Sequence, residues 1–276
     1  MFERIYVEIT DVCNLNCCFC PKTERQKTFM TDTDFAFVLD KIRAYTNYIF
    51  LHVLGEPLLH PDLKNILEIA RDKGFNVNIT TNGTLLKEKG DILLPFKNIK
   101  KVFISLHSFE GNDGKDLKGY LEDVFNFSLK TDSIVSFRLW NEGSSGKNSL
   151  NGEIIKFFED KTKLDIKKLF LAKNSITIGE KRYLEKAERF SWPNISGDIK
   201  KVSFCHGLSS QLAILCDGTV IPCCLDCEGK INLGNIFKED IKDILNGERA
   251  KNFLAGVKNR KMAEELCKRC GYAERF

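Results

Sequence analysis

Residues 4–20 read RIYVEITDVCNLNCCFC. The first part is β-rich and predicts a strand over Ile5–Ile9. A few residues later come Cys13, Cys17 and Cys20, with Cys18 between them. Three thiolates this close in sequence can reach three corners of one iron–sulfur cube and leave the fourth iron open. A zinc site or a set of buried thiols is the alternative reading of the same residues. Cys13-x4-Cys18-x-Cys20 is a second way to group them, and Cys18 is expected instead to be a small packed residue.

Working outward, the other cysteines are unevenly spread. The chain has 276 residues and 11 cysteines, four between Cys13 and Cys20 and the rest between Cys205 and Cys270. Nothing at the N-terminus has the basic and then apolar pattern of an export signal, and no apolar run reaches the length of a membrane span. The expected location is the cytoplasm, where a disulfide framework is disfavoured and metal or redox chemistry leads. Hydrophobic residues at 43% and charged residues at 29% indicate a soluble globular chain. A net charge of +4 is too weak to argue for nucleic acid.

Between the two cysteine groups, short β-rich runs alternate with amphipathic ones. Strands are predicted at Ile5–Ile9, Ile49–Val53, Asn76–Thr80, Lys101–Leu106, Val135–Leu139 and Lys168–Ala172. Helices are predicted at Asp32–Ala44, Leu63–Lys73, Leu86–Leu94, Leu117–Lys130 and Glu153–Lys161. Such alternation predicts an α/β fold, a partial (β/α)6 TIM-like barrel with ligands at the carboxyl ends of its strands. Cys13 lies at that end. The barrel is expected over residues 1–173, a linker over 174–203, and a small β-hairpin/helix cluster-binding domain over 204–276. The hairpin signal is Leu212–Leu215 and Val220–Pro222 around Asp217-Gly218, and the tail from Glu239 to Leu266 reads as helical.

The spacing Cys13-x3-Cys17-x2-Cys20, with the aromatic Phe19 before the last cysteine, resembles the signature of the radical S-adenosylmethionine (SAM) superfamily. The resemblance implies that these cysteines hold a catalytic 4Fe-4S cluster whose open iron takes the amino and carboxylate groups of SAM. Reductive cleavage of SAM would then release a 5′-deoxyadenosyl radical. Further motifs follow in the family's order. Leu54-Gly55-Glu56-Pro57 resembles the Gly-Gly-Glu-Pro motif that holds the SAM amino group, with Leu54 where the first Gly stands. Thr81, Asn82 and Gly83 follow the third strand. Ser105-Leu106-His107-Ser108 resembles the region that contacts the ribose or carboxylate of SAM. Arg138 is a candidate partner for a carboxylate, and a surface salt bridge is its alternative. His60 is expected to be structural. His52 and His107 are candidates to touch substrate or to be satisfied core residues.

The second cysteine group resembles the auxiliary-cluster domains called SPASM and their shortened form, twitch. The shared pieces are a hairpin with a Gly turn, Pro222-Cys223-Cys224, Leu233-Gly234-Asn235, and a helix leading to Cys267-x2-Cys270. The resemblance implies a second, auxiliary 4Fe-4S cluster on Cys205, Cys223, Cys267 and Cys270. Cys216, Cys224 and Cys227 are then left over as replacement ligands, a hydrogen-atom donor, or inert thiols. A zinc ribbon built on Cys223, Cys227, Cys267 and Cys270 is the alternative for this group.

One auxiliary cluster suits three reactions: oxidation of a sugar or cyclitol alcohol, epimerisation, and peptide modification. The first strand begins near Arg4 and leaves no room before it for a leader-binding domain. A small-molecule substrate is therefore expected ahead of a peptide, with a flavodoxin- or ferredoxin-type reductant. A non-catalytic iron–sulfur electron carrier and a zinc-binding module are the readings from other classes.

Overall fold

In the computed structural model, which describes residues 1–111, 116–143, 148–202 and 204–275, the chain divides into two units. Met1–Val12, Cys20–Val77 and Phe190–Phe276 form one, and Cys13–Phe19 with Asn78–Arg189 the other. In chain order the elements begin with β1 (Arg4–Val7), α1 (Asp32–Ile42), β2 (Tyr48–Phe50), α2 (Leu63–Asp72), β3 (Asn76–Thr81) and α3 (Leu86–Lys89). Next come β4 (Ile99–Ser105), α4 (Leu117–Lys130), β5 (Ile134–Glu142), α5 (Asn151–Thr162), α6 (Ile166–Ala172), β6 (Ser175–Gly179) and β7 (Arg182–Glu188). The C-terminal part holds β8 (Gln211–Ile214), β9 (Thr219–Ile221), β10 (Gly234–Asn235), α7 (Ile241–Asn246) and α8 (Glu248–Lys258).

In the first unit the strand order is β10-β9-β8-β1-β2. β1 runs parallel to both neighbours, pairing Ile5 with Ile49 and with Leu212. The β8–β9 hairpin and the β9–β10 pair are antiparallel. Ile5, Val7 and Ile9 are wholly buried, and Tyr6 and Glu8 between them are buried too, as in a parallel strand covered on both faces. α1 begins where Thr31 accepts the Asp34 N–H at 3.1 Å, with Asp32 and Asp34 in its first turn and Lys41 in its last.

In the second unit the order is β3-β4-β5-β7-β6, with β4, β5 and β7 parallel and β6 antiparallel to β7. The strand expected at Lys168–Ala172 is helical instead. Asp165 caps it by accepting the Lys168 N–H at 3.0 Å, and the buried Ile166 and Phe170 stand one helical turn apart. The stretch 174–203, expected as a linker, contains β6 and β7. Their two-residue turn is Glu180-Lys181, with Lys181 at φ 56, and it lacks the Asn-Gly or Asp-Gly signal that marks such hairpins. Among the described residues, no helix is long and apolar enough to cross a membrane.

Candidate functional site

In the second unit, Cys13 and Cys17 lie on the loop that follows β1. The Cys13 sulfur accepts the Leu15 N–H at 3.4 Å and stands 3.9 Å from Asn82 Nδ2. Asn82 also donates to Asn14 at 2.9 Å, and Asn14 donates to Thr84 at 2.8 Å. The turn after β3 is held in its own right. Thr81 accepts the Gly83 N–H at 3.0 Å, and the Tyr120 hydroxyl donates to the Asn82 carbonyl at 2.8 Å. Cys17 is buried, with its thiol directed at the Ser108 carbonyl at 3.6 Å, and Ser108 donates back to the Ser105 carbonyl. Thr81, Asn82 and Ser105 therefore cluster with two of the three cysteines. Phe19 packs on His107, ring centroids 5.1 Å apart.

His107 Nδ1 sits between the Arg138 carbonyl at 3.1 Å and the Trp140 N–H at 3.3 Å. Burial pushes its pKa down to about 4, and the positive charges of Arg138 and Arg189 act in the same direction. This makes His107 a satisfied neutral histidine. Its folded pKa lies below the unfolded value, so its contribution to stability is present above the unfolded pKa and is lost as pH falls towards 4. The loss is at most on the order of 3 kcal/mol, because His107 is half-buried rather than fully enclosed. Urea midpoints at pH 7.5 and pH 5 should therefore differ more for the wild type than for His107→Gln. Equal pH dependence in the two proteins would mean that His107 is not held neutral.

Arg138 is engaged rather than open. Its guanidinium lies 3.6 Å from the Phe103 ring centroid and 4.3 Å from that of Trp140, with Nε 3.8 Å from Glu185. Lys101 reaches the same carboxylate at 3.6 Å.

In the first unit, Cys20 is half-buried on the return arm of the loop. Cys18, in the second unit and expected to pack, is exposed, while its neighbour Cys17 takes the buried place on that loop. Gly55 has φ 75 and lies so close to Thr10 that an added Cβ would meet the Thr10 carbonyl oxygen. The Glu56 N–H donates to the Val12 carbonyl at 2.8 Å, which ties the turn to the chain just before Cys13. The buried Glu56 carboxylate caps the short 3-10 turn Pro57–Leu59, accepting the Leu58 N–H at 3.1 Å. His60 is structural as expected, with Nε2 2.9 Å from the Met30 carbonyl.

The C-terminal cysteines form a second group, also within the first unit. Cys205, Cys223, Cys267 and Cys270 line one cavity, together with His206, Asp226, Met262, Leu266 and Tyr272 among others. Burial pushes all four thiols up in pKa, and Cys223, Cys267 and Cys270 are each pushed further by neighbouring cysteines. Four thiolates cannot coexist there without a multiply charged cation among them. Backbone N–H groups already point at the sulfurs: Gly207 donates to Cys205 at 3.3 Å, and Tyr272 and Ala273 donate to Cys270. A single zinc would draw its sulfurs to about 2.3 Å from the ion. These sulfurs surround a cavity rather than a point. The donor set thus fits an iron–sulfur cube.

The three left-over cysteines lie elsewhere. Cys216 donates its thiol hydrogen to the Glu8 carbonyl at 3.0 Å. Cys227 is buried in a cluster with Tyr6, Val53 and Leu215, which corrects the zinc-ribbon grouping. Cys224 packs at the edge of that cluster and accepts the Tyr6 hydroxyl, with burial pushing its own pKa up to about 11. Sequence reading missed Asp226. It accepts the N–H groups of Lys230 at 2.9 Å and Ile231 at 2.7 Å, and burial pushes its pKa up to about 6. An aspartate followed by Gly229 signals only a turn, so nothing in the sequence separates it from a loop residue.

Residues 7–127 match the radical SAM superfamily, and residues 205–271 match the iron-sulfur cluster-binding domain SPASM. The GTP 3′,8-cyclase of Aquifex aeolicus is 29% identical over 174 residues, covering 59% of this chain and 51% of that protein. A probable GTP 3′,8-cyclase of Pyrobaculum aerophilum is 28% identical over 131 residues, covering 46% and 42%. The chain thus spans about half the length of these relatives or less. The crystal structure of BtrN with AdoMet and 2-DOIA matches 98% of this chain and 93% of its own, at 18% identity and TM-score 0.58. Streptococcus suis SuiB bound to precursor peptide SuiA matches 99% and 70%, at 17% identity and TM-score 0.63. These likenesses are of fold, an open mixed α/β sheet of partial TIM-barrel type with a C-terminal cluster-binding domain. The family's cofactors are a 4Fe-4S cluster with SAM, and auxiliary iron–sulfur clusters in the SPASM part. With one match covering the first cysteine group and the other the second, this chain carries a radical SAM domain and a SPASM domain.

Proposed function

We propose that the protein oxidises a small alcohol, such as a sugar or cyclitol, with one auxiliary cluster taking up the substrate's second electron. The observation that carries this reading is the single cavity lined by Cys205, Cys223, Cys267 and Cys270. Four protein sulfurs leave a cube no open iron, which suits electron transfer rather than substrate binding. Cys13, Cys17 and Cys20 hold the other cluster, and Gly55, Glu56 and Pro57 form the turn that receives the SAM amino group. Phe19, Thr81, Asn82, Ser105 and Arg138 wall the remainder of the SAM site. When bound, the clusters and SAM supply a hydrogen-abstracting radical and a one-electron acceptor. The chain's own part is to hold the sulfurs, to fix the turn through the Glu56–Val12 bond, and to line the auxiliary cavity with apolar Met262 and Leu266. A flavodoxin or ferredoxin in the cytoplasm is the proposed reductant, and 1–173 and 204–276 are the proposed cores of the two cofactor domains.

The test is anaerobic turnover with SAM, dithionite and a panel of sugar and cyclitol alcohols. One ketone or aldehyde should form for each 5′-deoxyadenosine. Turnover of peptides alone would reject the small-alcohol reading.

Epimerisation is the second reading, favoured by Cys224 beside Tyr6. There Cys224 returns a hydrogen atom to the substrate carbon. In deuterium oxide an epimerised product gains one deuterium at that carbon, and an oxidised product gains none.

A further inference from the structure

Glu8 is wholly buried. A carboxylate in that position is costly unless every lone pair is met. Here four donors meet it. Arg25 forks onto both oxygens at 2.8 Å, Nη2 to Oε1 and Nη1 to Oε2. Oε1 also accepts the Leu54 N–H at 3.2 Å, and Oε2 accepts the Cys216 N–H at 3.2 Å. These partners come from three segments of the first unit. Arg25 stands on the arm returning from Cys20, Leu54 opens the Gly55-Glu56-Pro57 turn, and Cys216 lies just past β8, ahead of Cys223. The main chain of Glu8 repeats the link, with its carbonyl taking the Cys216 thiol and its N–H donating to Ile214 at 2.9 Å. The arm is fastened beside it, where Asp11 accepts the Thr28 N–H at 2.8 Å and Thr10 donates to the Thr28 carbonyl at 2.9 Å.

We propose that Glu8 is a positioning residue that holds the Gly55-Glu56-Pro57 turn, the arm behind Cys20 and the approach to the auxiliary cysteines in one arrangement. It rests on the SAM-site reading above and goes beyond it, because Glu8 is neither a cluster ligand nor a SAM contact. A carboxylate is required. An amide in its place turns one acceptor into a donor, facing Arg25 or a backbone N–H that also donates. Arg25 would then be left half-buried with its charge balanced, among the described residues, by Asp11 at 3.9 Å.

The test uses full-length, anaerobically reconstituted Glu8→Gln. Hydrogen exchange, which needs no cofactor, should show protection lost at the Leu54 and Cys216 amides together while β5 and β7 stay protected. SAM affinity, read by equilibrium dialysis, should fall about tenfold, the lower end of what loss of an outer-shell partner does, with iron content unchanged. The EPR shift that SAM causes in the reduced cluster should need about tenfold more SAM than in the wild type to reach its half-way point. If Glu8→Gln does not fold, Arg25→Lys keeps the charge but loses the fork, and the same losses are expected in weaker form. Retained protection at either amide, or unchanged SAM affinity in a folded variant, overturns the proposal. If the wild type itself binds no SAM, the functional reading fails, and amide exchange still decides whether Glu8 joins the segments.

Discussion

Replacing Cys13, Cys17 and Cys20 together by alanine is expected to leave about four irons per chain and to reduce SAM cleavage to background. The wild type should hold about eight, two cubes of four each. The expectation follows from the two donor sets. The four C-terminal sulfurs line a cavity in the first unit, and none of the described residues lining it belongs to the Cys13–Cys20 loop. The mirror variant, with Cys205, Cys223, Cys267 and Cys270 all changed to alanine, should also keep about four irons. It should still form 5′-deoxyadenosine from SAM but yield no oxidised product. Iron, acid-labile sulfide and 5′-deoxyadenosine measured after anaerobic reconstitution check all of this. A triple variant without iron would mean that the C-terminal sulfurs hold no cluster, and the oxidative reading would go with it. Zinc recovered from that variant would point to a structural metal instead.

The parts of this arrangement that sequence reveals are those whose chemistry depends on residue type at short spacing. Cysteine ligands are of this kind, and the four C-terminal cysteines expected to act together do line one cavity. Leu117–Lys130 is likewise legible, because its apolar period is long and a turn precedes it. Lys168–Ala172 is not, since five residues cannot separate a strand from a short helix and the deciding residue, Asp165, lies outside the apolar run. The β6–β7 hairpin escaped because Glu180-Lys181 carries no turn signal and the strand Arg182–Glu188 is mostly polar. Glu8 escaped for another reason. Its partner Cys216 is 208 positions away, and no local pattern marks a buried carboxylate on a strand whose neighbours are Val7 and Ile9. Arg138 shows the limit from the other side, since the sequence offers it either to a ligand carboxylate or to a salt bridge, and the fold places Glu185, Phe103 and Trp140 around it.

Gly55→Ala is expected to cost about 2–4 kcal/mol of stability and to remove SAM binding. Two effects add. At φ 75 a side chain pays left-handed strain of about 1–2 kcal/mol. The new Cβ would also fall against the Thr10 carbonyl oxygen and within 2.9 Å of Asp11 Cα. Both obstacles are backbone, which cannot rotate aside as a flexible side chain can. Relief requires the turn to move away from residues 10–12, and the Glu56 N–H bond to the Val12 carbonyl is what that movement breaks. The same displacement strains the Leu54 N–H bond to Glu8, so the turn and the base of the cysteine loop part together. Gly152→Ala is the contrasting substitution. Gly152 lies in the first turn of α5 with nothing within 4 Å of an added Cβ and no positive φ. Alanine there should be neutral or stabilising by up to about 1 kcal/mol. Urea unfolding of both variants, with SAM dialysis against the reconstituted proteins, separates the cases. If Gly55→Ala unfolded with the wild-type midpoint and bound SAM normally, the turn would not be fixed against residues 10–12, and its assignment to the SAM amino group would lose its physical basis.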